Sequence, residues 1–313
     1  MSSPSFLQAN DWVGLIAPAY HATPSHWEHI IPLLQSWGLN VEEGKSLHLQ
    51  YGKFAGSDEQ RIDDLINMLC NPKIKAIFCA RGGYGCVKLL SALERYTQRA
   101  IVGAGLAPAP IWLIGYSDIT VLASFFVQRM QWNCVHGPMS IDLLGEQTPE
   151  RQKSWEHLNN MLFGKIPEYN IPTHELNRNG NTTAPLVGGN LSVIYSLNAT
   201  PYQWQTNERI LFIEDVGEKL YHIDRMMTNL RLSGQLANLK GLIVGAMNEM
   251  SDSEPSFGKT AYEIITEHVE EYKYPVAFGF PAGHDGANFP LMLGASINLN
   301  VTPSFLNVKY NFV

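Results

Sequence analysis

The chain has 313 residues, of which 45% are hydrophobic and 16% are charged, a composition typical of a compact globular protein. Its formal net charge of -7 argues against nucleic acid as a partner, because a phosphate backbone attracts a basic surface. We also expect no membrane span, no secretion signal and a cytoplasmic location, since no long apolar run or basic leader is present and the four cysteines are sparse.

Apolar runs alternate with helical patterns in the first half of the chain. The pattern predicts strands at 12–18, 39–41, 76–80 and 111–114, and helices at 26–37, 58–70 and 87–94. This alternation is typical of βαβ units around a parallel sheet. Functional groups in such sheets lie at the carboxyl ends of the strands, where the loops 81–85 and 115–118 are expected to meet.

The second half of the chain has a different sequence pattern. A polar stretch rich in turn-forming residues predicts a linker at 166–183. Beyond it, the sequence predicts strands near 210–213, 241–246, 276–280 and 296–301, and helices near 218–233 and 259–271. We therefore predict an α/β protein with an amino-terminal parallel-sheet α/β domain (1–165) and a smaller, β-rich mixed carboxyl-terminal domain (184–313).

Ser117 stands at the predicted junction between a strand and a helix, within Gly115-Tyr116-Ser117-Asp118. A serine at such a turn exposes its hydroxyl, and the next N–H and the positive end of the helix face any oxyanion formed there. Asp118 follows the serine, and the second glycine of a G-x-S-x-G elbow is missing. The alternative interpretation is a simple helix N-cap.

A nucleophilic serine needs a base and an acid that orients the base. Among ten histidines, His284 stands out because it lies in a turn-rich loop between two predicted strands. Glu214 and Asp215 end an apolar strand, where a carboxylate needs a partner. One of the two acids could cap the helix predicted near Glu218; Asp215 is the better cap, which leaves Glu214 to be explained.

The segment Arg81-Gly82-Gly83-Tyr84-Gly85 exposes backbone N–H groups that can hold an anion or an oxyanion. It lacks the full G-x-G-x-x-G dinucleotide fingerprint and is otherwise a flexible connection. A pair formed by Cys134 and His136 is a weaker nucleophile candidate, because residues two apart on a strand do not meet well.

Together these segments resemble the LD-carboxypeptidase family of serine peptidases, which includes the bacterial muramoyltetrapeptide carboxypeptidases. The matching segments follow the family's order: 81–85, 115–120, 136–138, 188–191, 211–218 with 223–225, and 279–284. The chain departs from the family pattern at Ala80 and Tyr20, neither of which is a candidate catalytic group.

The resemblance implies a Ser117, His284 and Glu214 triad between two domains, and cleavage of the terminal D-alanine from murein tetrapeptides in cell-wall recycling. The N–H groups of Asp118 and Gly83 would form the oxyanion hole. A carboxypeptidase must bind a free carboxylate, and Arg81 is the first candidate, with Arg225 second.

Two other functions stay open at this point. One is a microcin C-type immunity peptidase that acts on aminoacyl or peptidyl nucleotides, with Tyr202 and Trp204 stacking on the nucleobase. The other is a non-catalytic protein that clamps a small ligand. The sequence implies no metal and no cofactor, and it leaves a homodimer open.

Overall fold

The computed structural model describes residues 5–104 and 111–311, with the side chains of 99–104 excepted. In chain order its strands and helices are β1 (Trp12–Ile16), α1 (Pro24–Trp27), α2 (Ile30–Ser36), β2 (Asn40–Glu43), α3 (Asp58–Cys70), β3 (Ile74–Cys79), α4 (Leu90–Ala104), β4 (Trp112–Ile114), α5 (Thr120–Phe125), β5 (Cys134–His136), α6 (Pro149–Leu162), β6 (Tyr169–Pro172), β7 (Gly180–Asn190), α7 (Leu191–Leu197), β8 (Ile210–Val216), α8 (Leu220–Leu232), β9 (Gly241–Asn248), α9 (Ala261–Val269), β10 (Val276–Ala277), β11 (Leu291–Leu293), β12 (Ser296–Val301) and β13 (Phe305–Tyr310). Short 3₁₀ turns at Cys86–Leu89, Ser117–Ile119 and Ser140–Leu143 lie among them.

The first sheet has the strand order β11-β5-β4-β3-β1-β2 and is parallel except for β11, which runs antiparallel to β5. Ile77 pairs with Leu113 and Phe78 with Ile114, so β3 and β4 end almost level. The loops 81–85 and 115–118 therefore leave the sheet at the same edge, as the sequence predicts.

The second sheet has the order β10-β9-β8-β7-β12-β13-β6. Strands β7 to β10 are parallel, whereas β12, β13 and β6 are antiparallel. The two sheets confirm the mixed α/β fold class. Part of the predicted linker 166–183 is strand, because β6 pairs with β13 in this sheet and β7 begins at Gly180; the proposed domain boundaries remain a prediction.

Local sequence explains where the helices near the site begin and end. Ser57 accepts the backbone N–H of Gln60, and the Gln60 side chain accepts the N–H of Ser57, so α3 begins where predicted. The predicted helix 26–37 is divided between α1 and α2. Pro32 explains the break, because it has no N–H for the carbonyl of Glu28 and its ring would clash with that carbonyl.

The strands that carry the candidate site are buried. Glu214 lies in β8, whose first six residues are all buried, and Ser117 follows β4, which is buried throughout. None of the helices in the described part of the chain has the length and apolar character needed to span a bilayer.

Candidate active site

Ser117 occupies a strained turn at the carboxyl end of β4. Its φ is +62°, a left-handed conformation that a non-glycine residue adopts at a cost in free energy. Its side chain is half-buried, while its neighbours Tyr116 and Asp118 are buried. The turn therefore presents the serine and hides the residues on either side of it, as in a nucleophile elbow.

Asp118 ties this turn to the glycine-rich loop. Its Oδ2 accepts the backbone N–H of Cys86 at 2.8 Å, just after the loop 81–85. Burial raises the pKa of Asp118, and the hydrogen bond from Cys86 opposes that shift. The aspartate that follows the serine thus fixes the two loops to each other.

His284 and Glu214 form a hydrogen-bonded pair. The Nδ1 atom of His284 lies 2.8 Å from Oε2 of Glu214, and the backbone N–H of His284 donates to the same oxygen at 3.3 Å. Gly283 has a φ of +118°, and a Cβ there would lie 2.7 Å from Oε2. A glycine is required before His284 because the chain passes directly against the carboxylate.

Each member of this pair shifts the other's pKa. Burial acts to raise the pKa of Glu214, which is fully buried, but His284, together with His136 and Asn190, outweighs it and keeps the pKa below its usual value. Burial acts to lower the pKa of His284, but Glu214, together with Asp215 and Asp142, outweighs this and raises it above 6.5. The pair therefore favours a histidine that gains a proton readily, beside an acid that stays ionised.

Asp215 caps a different helix from the one expected. Its Oδ2 accepts the backbone N–H of Ser192, and its Oδ1 accepts the Asn190 side-chain amide, so it serves the start of α7 rather than α8. Burial and the adjacent Glu214 raise the pKa of Asp215 to about 7.

The loop 81–85 packs directly on the serine. A Cβ at Gly82 would lie 2.8 Å from Cβ and 3.0 Å from Oγ of Ser117, and 3.3 Å from the backbone nitrogen of Asp118. The Gly82 carbonyl accepts the N–H of Tyr20 at 3.4 Å. Because their shared peptide bond is trans, the N–H of Gly83 points the opposite way.

The two candidate arginines lie in different settings. Arg81 is half-buried, donates from Nη1 to the His21 carbonyl at 3.3 Å and lies over the Tyr20 ring at 5.8 Å. Among the described residues it has no carboxylate partner, and burial lowers its pKa. Arg225 is exposed on α8 and stacks over Tyr221 on the same helix at 5.2 Å. Arg81 opens the glycine loop, whereas the contact of Arg225 with Tyr221 lies within α8.

Tyr116 adjoins His284 and is hydrogen-bonded to Asp142, and the sequence singled out neither residue as part of the site. The ring of Tyr116 lies 4.7 Å from the imidazole of His284, between ring centroids, and its hydroxyl is 2.8 Å from Oδ1 of Asp142. Tyr116 could have been suspected from its place beside Ser117. Nothing in the sequence around Asp142 marks it, because the contact arises from the packing of three distant segments.

The alternative pair of Cys134 and His136 lacks the properties of a nucleophile and its base. Both side chains are buried, and burial raises the pKa of the Cys134 thiol. Burial also lowers the pKa of His136 to about 4, so its imidazole is neutral near pH 7. Within 5–104 and 111–311 no cluster of three or more His, Cys, Asp or Glu residues is arranged to hold a metal ion.

Comparison with known proteins gives a consistent result. The LD-carboxypeptidase N-terminal domain matches residues 13–137, and the LD-carboxypeptidase C-terminal domain matches residues 183–299. A probable murein peptide carboxypeptidase of Bacillus subtilis is 31% identical, with 95% of this chain and 91% of that protein covered. A murein tetrapeptide carboxypeptidase of Pseudomonas aeruginosa is 30% identical, with 88% and 89% covered.

Solved structures share the fold. The muramoyltetrapeptide carboxypeptidase of Oxalobacter formigenes superimposes with a TM-score of 0.81 at 23% identity, covering 96% of this chain and 99% of that one. MccF in complex with glutamyl sulfamoyl guanosine gives a TM-score of 0.85 at 20% identity, with 99% of each chain covered. On the domain matches and the identity to the Bacillus protein over nearly its whole length, this chain belongs to the LD-carboxypeptidase family of peptidases.

Proposed function

We propose that this protein is a serine carboxypeptidase that removes the terminal D-alanine from murein tetrapeptides during peptidoglycan recycling. The observation that carries the proposal is the pairing of His284 with the fully buried Glu214, with the imidazole packed against Tyr116, the residue that precedes a serine held in a strained turn. Two relatives of 30–31% identity that are named for murein peptides support the substrate class. The scissile bond joins the L-configured centre of the diamino acid to D-alanine.

In this mechanism Ser117 attacks the carbonyl carbon of the scissile bond. His284 donates its Nδ1–H to Glu214, which leaves Nε2 to accept the proton of the serine hydroxyl and later to return it to the leaving amine of D-alanine. Glu214 fixes this tautomer and stabilises the imidazolium. A water molecule then attacks the acyl-enzyme, with His284 again acting as the base.

The oxyanion would be stabilised by two backbone N–H groups, those of Asp118 and Gly83. The first follows the serine at the start of a 3₁₀ turn. The second belongs to the loop that packs on Ser117, and its peptide is oriented by the hydrogen bond from Tyr20 to the Gly82 carbonyl. Such donors act on charge that develops only as the carbonyl is attacked, so each contributes mainly to kcat.

The terminal carboxylate of the substrate would pair with Arg81. This guanidinium lies at the glycine loop without an acidic partner among the described residues, and it is half-buried, so an incoming carboxylate would meet it partly desolvated. Arg225 remains the second candidate, although its exposed position on α8 supports it less.

The alternative function, which the similarity to MccF supports, is hydrolysis of aminoacyl or peptidyl nucleotides. This reaction needs an aromatic surface on which the nucleobase of the substrate can stack. Trp204 is buried with only 2% of its surface exposed, and Tyr202 packs against Phe125 at 6.3 Å and lies under Arg129. Neither ring presents a free face of the kind that base stacking requires, so we favour the tetrapeptide.

The direct test is mass spectrometry of a muramyl tetrapeptide incubated with the wild type and with Ser117→Ala. We expect the wild type alone to release D-alanine. Release by both proteins would remove Ser117 from its assigned role. No release by the wild type, with hydrolysis of an aminoacyl sulfamoyl nucleoside, would establish the alternative.

A further inference from the structure

His284 contacts a second polar pair besides Glu214. Tyr116 packs against the imidazole with ring centroids 4.7 Å apart and planes inclined by 61°. The hydroxyl of Tyr116 donates to Oδ1 of Asp142 at 2.8 Å, and the backbone N–H of Met139 donates to Oδ2 at 2.7 Å. Both oxygens of Asp142 therefore face donors, which is the environment of a carboxylate rather than a carboxylic acid.

This arrangement is more than local packing of one loop. Asp142 lies in the 3₁₀ turn Ser140–Leu143, Tyr116 follows β4, and His284 lies between β10 and β11, so three separate segments meet. The Tyr116 ring is 6% exposed and its phenol pKa is raised well above 10 by burial, so the hydroxyl keeps its proton and remains a donor.

We propose that Tyr116 and Asp142 are positioning residues for His284: the Tyr116 ring holds the plane of the imidazole, and the Asp142 carboxylate stabilises the imidazolium formed when Ser117 attacks. The inference rests on the proposed role of His284 as the base. In this proposal two carboxylates act on His284: Glu214 contacts the imidazole directly, and Asp142 is hydrogen-bonded to Tyr116, which packs on the imidazole.

The charges around His284 are consistent with this role. Burial lowers the pKa of His284, whereas Glu214 in direct contact and the nearby charges of Asp215 on β8 and Asp142 in the 3₁₀ turn raise it. His136 on β5 also lies near, but burial keeps it neutral. Burial raises the pKa of Asp142, and the hydrogen bonds from Met139 and Tyr116, together with the charges of His284 and of Arg151 on α6, act against that shift and favour the carboxylate.

The test is an NMR titration of His284 in protein labelled with ¹³C at the histidine ring, with the His284 signal assigned from His284→Gln. In Asp142→Asn, whose amide oxygen can still accept the Tyr116 hydroxyl, we expect the pKa of His284 to fall. We expect kcat for D-alanine release to drop about tenfold with KM nearly unchanged, which corresponds to about 1.4 kcal/mol of lost imidazolium stabilisation. Tyr116→Phe keeps the ring and removes only the donor, so it should lower the pKa of His284 by less.

Asp64→Asn is the matched control. Asp64 is also buried, and its two oxygens accept the backbone N–H groups of Lys45 and Ser46, both at 2.9 Å. It should lower thermal stability without moving the His284 titration. If Asp142→Asn likewise lowers only thermal stability, Tyr116 and Asp142 stabilise the fold without acting on His284, and the proposal is wrong.

Two further outcomes are decided by the same data. If Asp142→Asn does not fold, Asp142→Ser decides, because it also removes the carboxylate while its hydroxyl can accept the Tyr116 hydroxyl, and an unchanged titration in that variant overturns the proposal. The titration needs no substrate, so it separates this inference from the proposed function. An unchanged titration in an enzyme that releases D-alanine through Ser117 refutes the inference alone, and a lowered pKa in a protein inactive on tetrapeptide refutes the substrate alone.

Discussion

Replacing Gly82 by alanine tests the contact between the glycine-rich loop and the serine. The added Cβ would lie 2.8 Å from Cβ of Ser117 and 3.0 Å from its Oγ. Two carbon atoms in van der Waals contact are about 3.5–4.0 Å apart, so the methyl group overlaps Ser117 by roughly 0.7 Å or more. Because Gly82 does not have a left-handed φ, the effect is steric rather than conformational.

The overlap must be relieved by moving either the serine or the loop. A displacement on the order of 1 Å at a reacting group costs about 10²-fold in rate. Loss of one oxyanion donor, which would follow if the loop moved instead, costs about 10²–10³-fold in kcat. Both routes predict a fall in kcat of about 10²-fold or more. Overpacking of this kind destabilises the fold by only about 1–3 kcal/mol, so the protein should remain folded.

The assay is D-alanine release from a muramyl tetrapeptide, with kcat and KM measured separately and folding checked by thermal unfolding. Gly286→Ala is the control, because this glycine lies in the His284 loop, lacks a left-handed φ and would place its Cβ more than 4 Å from any neighbouring atom. It should keep near-normal kcat. A folded Gly82→Ala protein with kcat within about threefold of wild type would refute the close packing of this loop on Ser117.

Four further predictions concern the acid Glu214, the titration of His284, the guanidinium of Arg81 and the cap of α7. Glu214→Gln should lower kcat by up to about 10⁴-fold, as loss of a triad acid does elsewhere. His284 must be neutral to act as the base, and Glu214 helps to raise its pKa above 6.5. In a pH–rate profile, kcat/KM of the wild type should therefore fall as the pH drops through this raised pKa. Glu214→Gln should shift this acidic fall in kcat/KM to lower pH. Arg81→Ala should impair cleavage of the tetrapeptide far more than cleavage of its carboxyl-terminal amide, and equal losses would show that Arg81 does not bind the carboxylate. Asn190→Ala should destabilise the protein by about 1–2 kcal/mol in urea unfolding, because Asn190 caps α7 through the Val193 N–H, and an unchanged midpoint would contradict this role.

Local patterns in the sequence predict much of the fold. The helix 58–70 is found at α3 with the same bounds, because its N-cap and its apolar spacing are local properties. The strand before Ser117 and the meeting of two loops at one sheet edge also follow from the βαβ pattern. The strand β11 could not be predicted in the same way. It consists of Leu291–Leu293 near the carboxyl terminus and joins the first sheet through a pairing with β5 more than 150 residues earlier, which no local pattern encodes.

The same distinction holds within the candidate site. The identities of Ser117, Glu214 and His284 could be proposed because each residue ends a strand or lies in a loop at a strand end. The positive φ of Ser117 and the contact of Gly82 with the serine depend on how the chain passes between β3 and β4. The contact from Asp142 to Tyr116 depends on tertiary packing alone. Residue types at strand ends are therefore readable from sequence, whereas the groups that support them are not.

The path of the chain explains how a serine and a base from different parts of the sequence keep a fixed relation. His284 lies on the segment that passes from β10 in the second sheet to β11 in the first. On one side it is held by Glu214 of the second sheet through the 2.8 Å hydrogen bond. On the other side, β11 pairs with β5, and β5 neighbours β4, the strand that ends just before Ser117. His284 is thus attached to Glu214 by a hydrogen bond and to the strand before Ser117 through two strand pairings, so the geometry of the candidate site depends on the junction between the sheets.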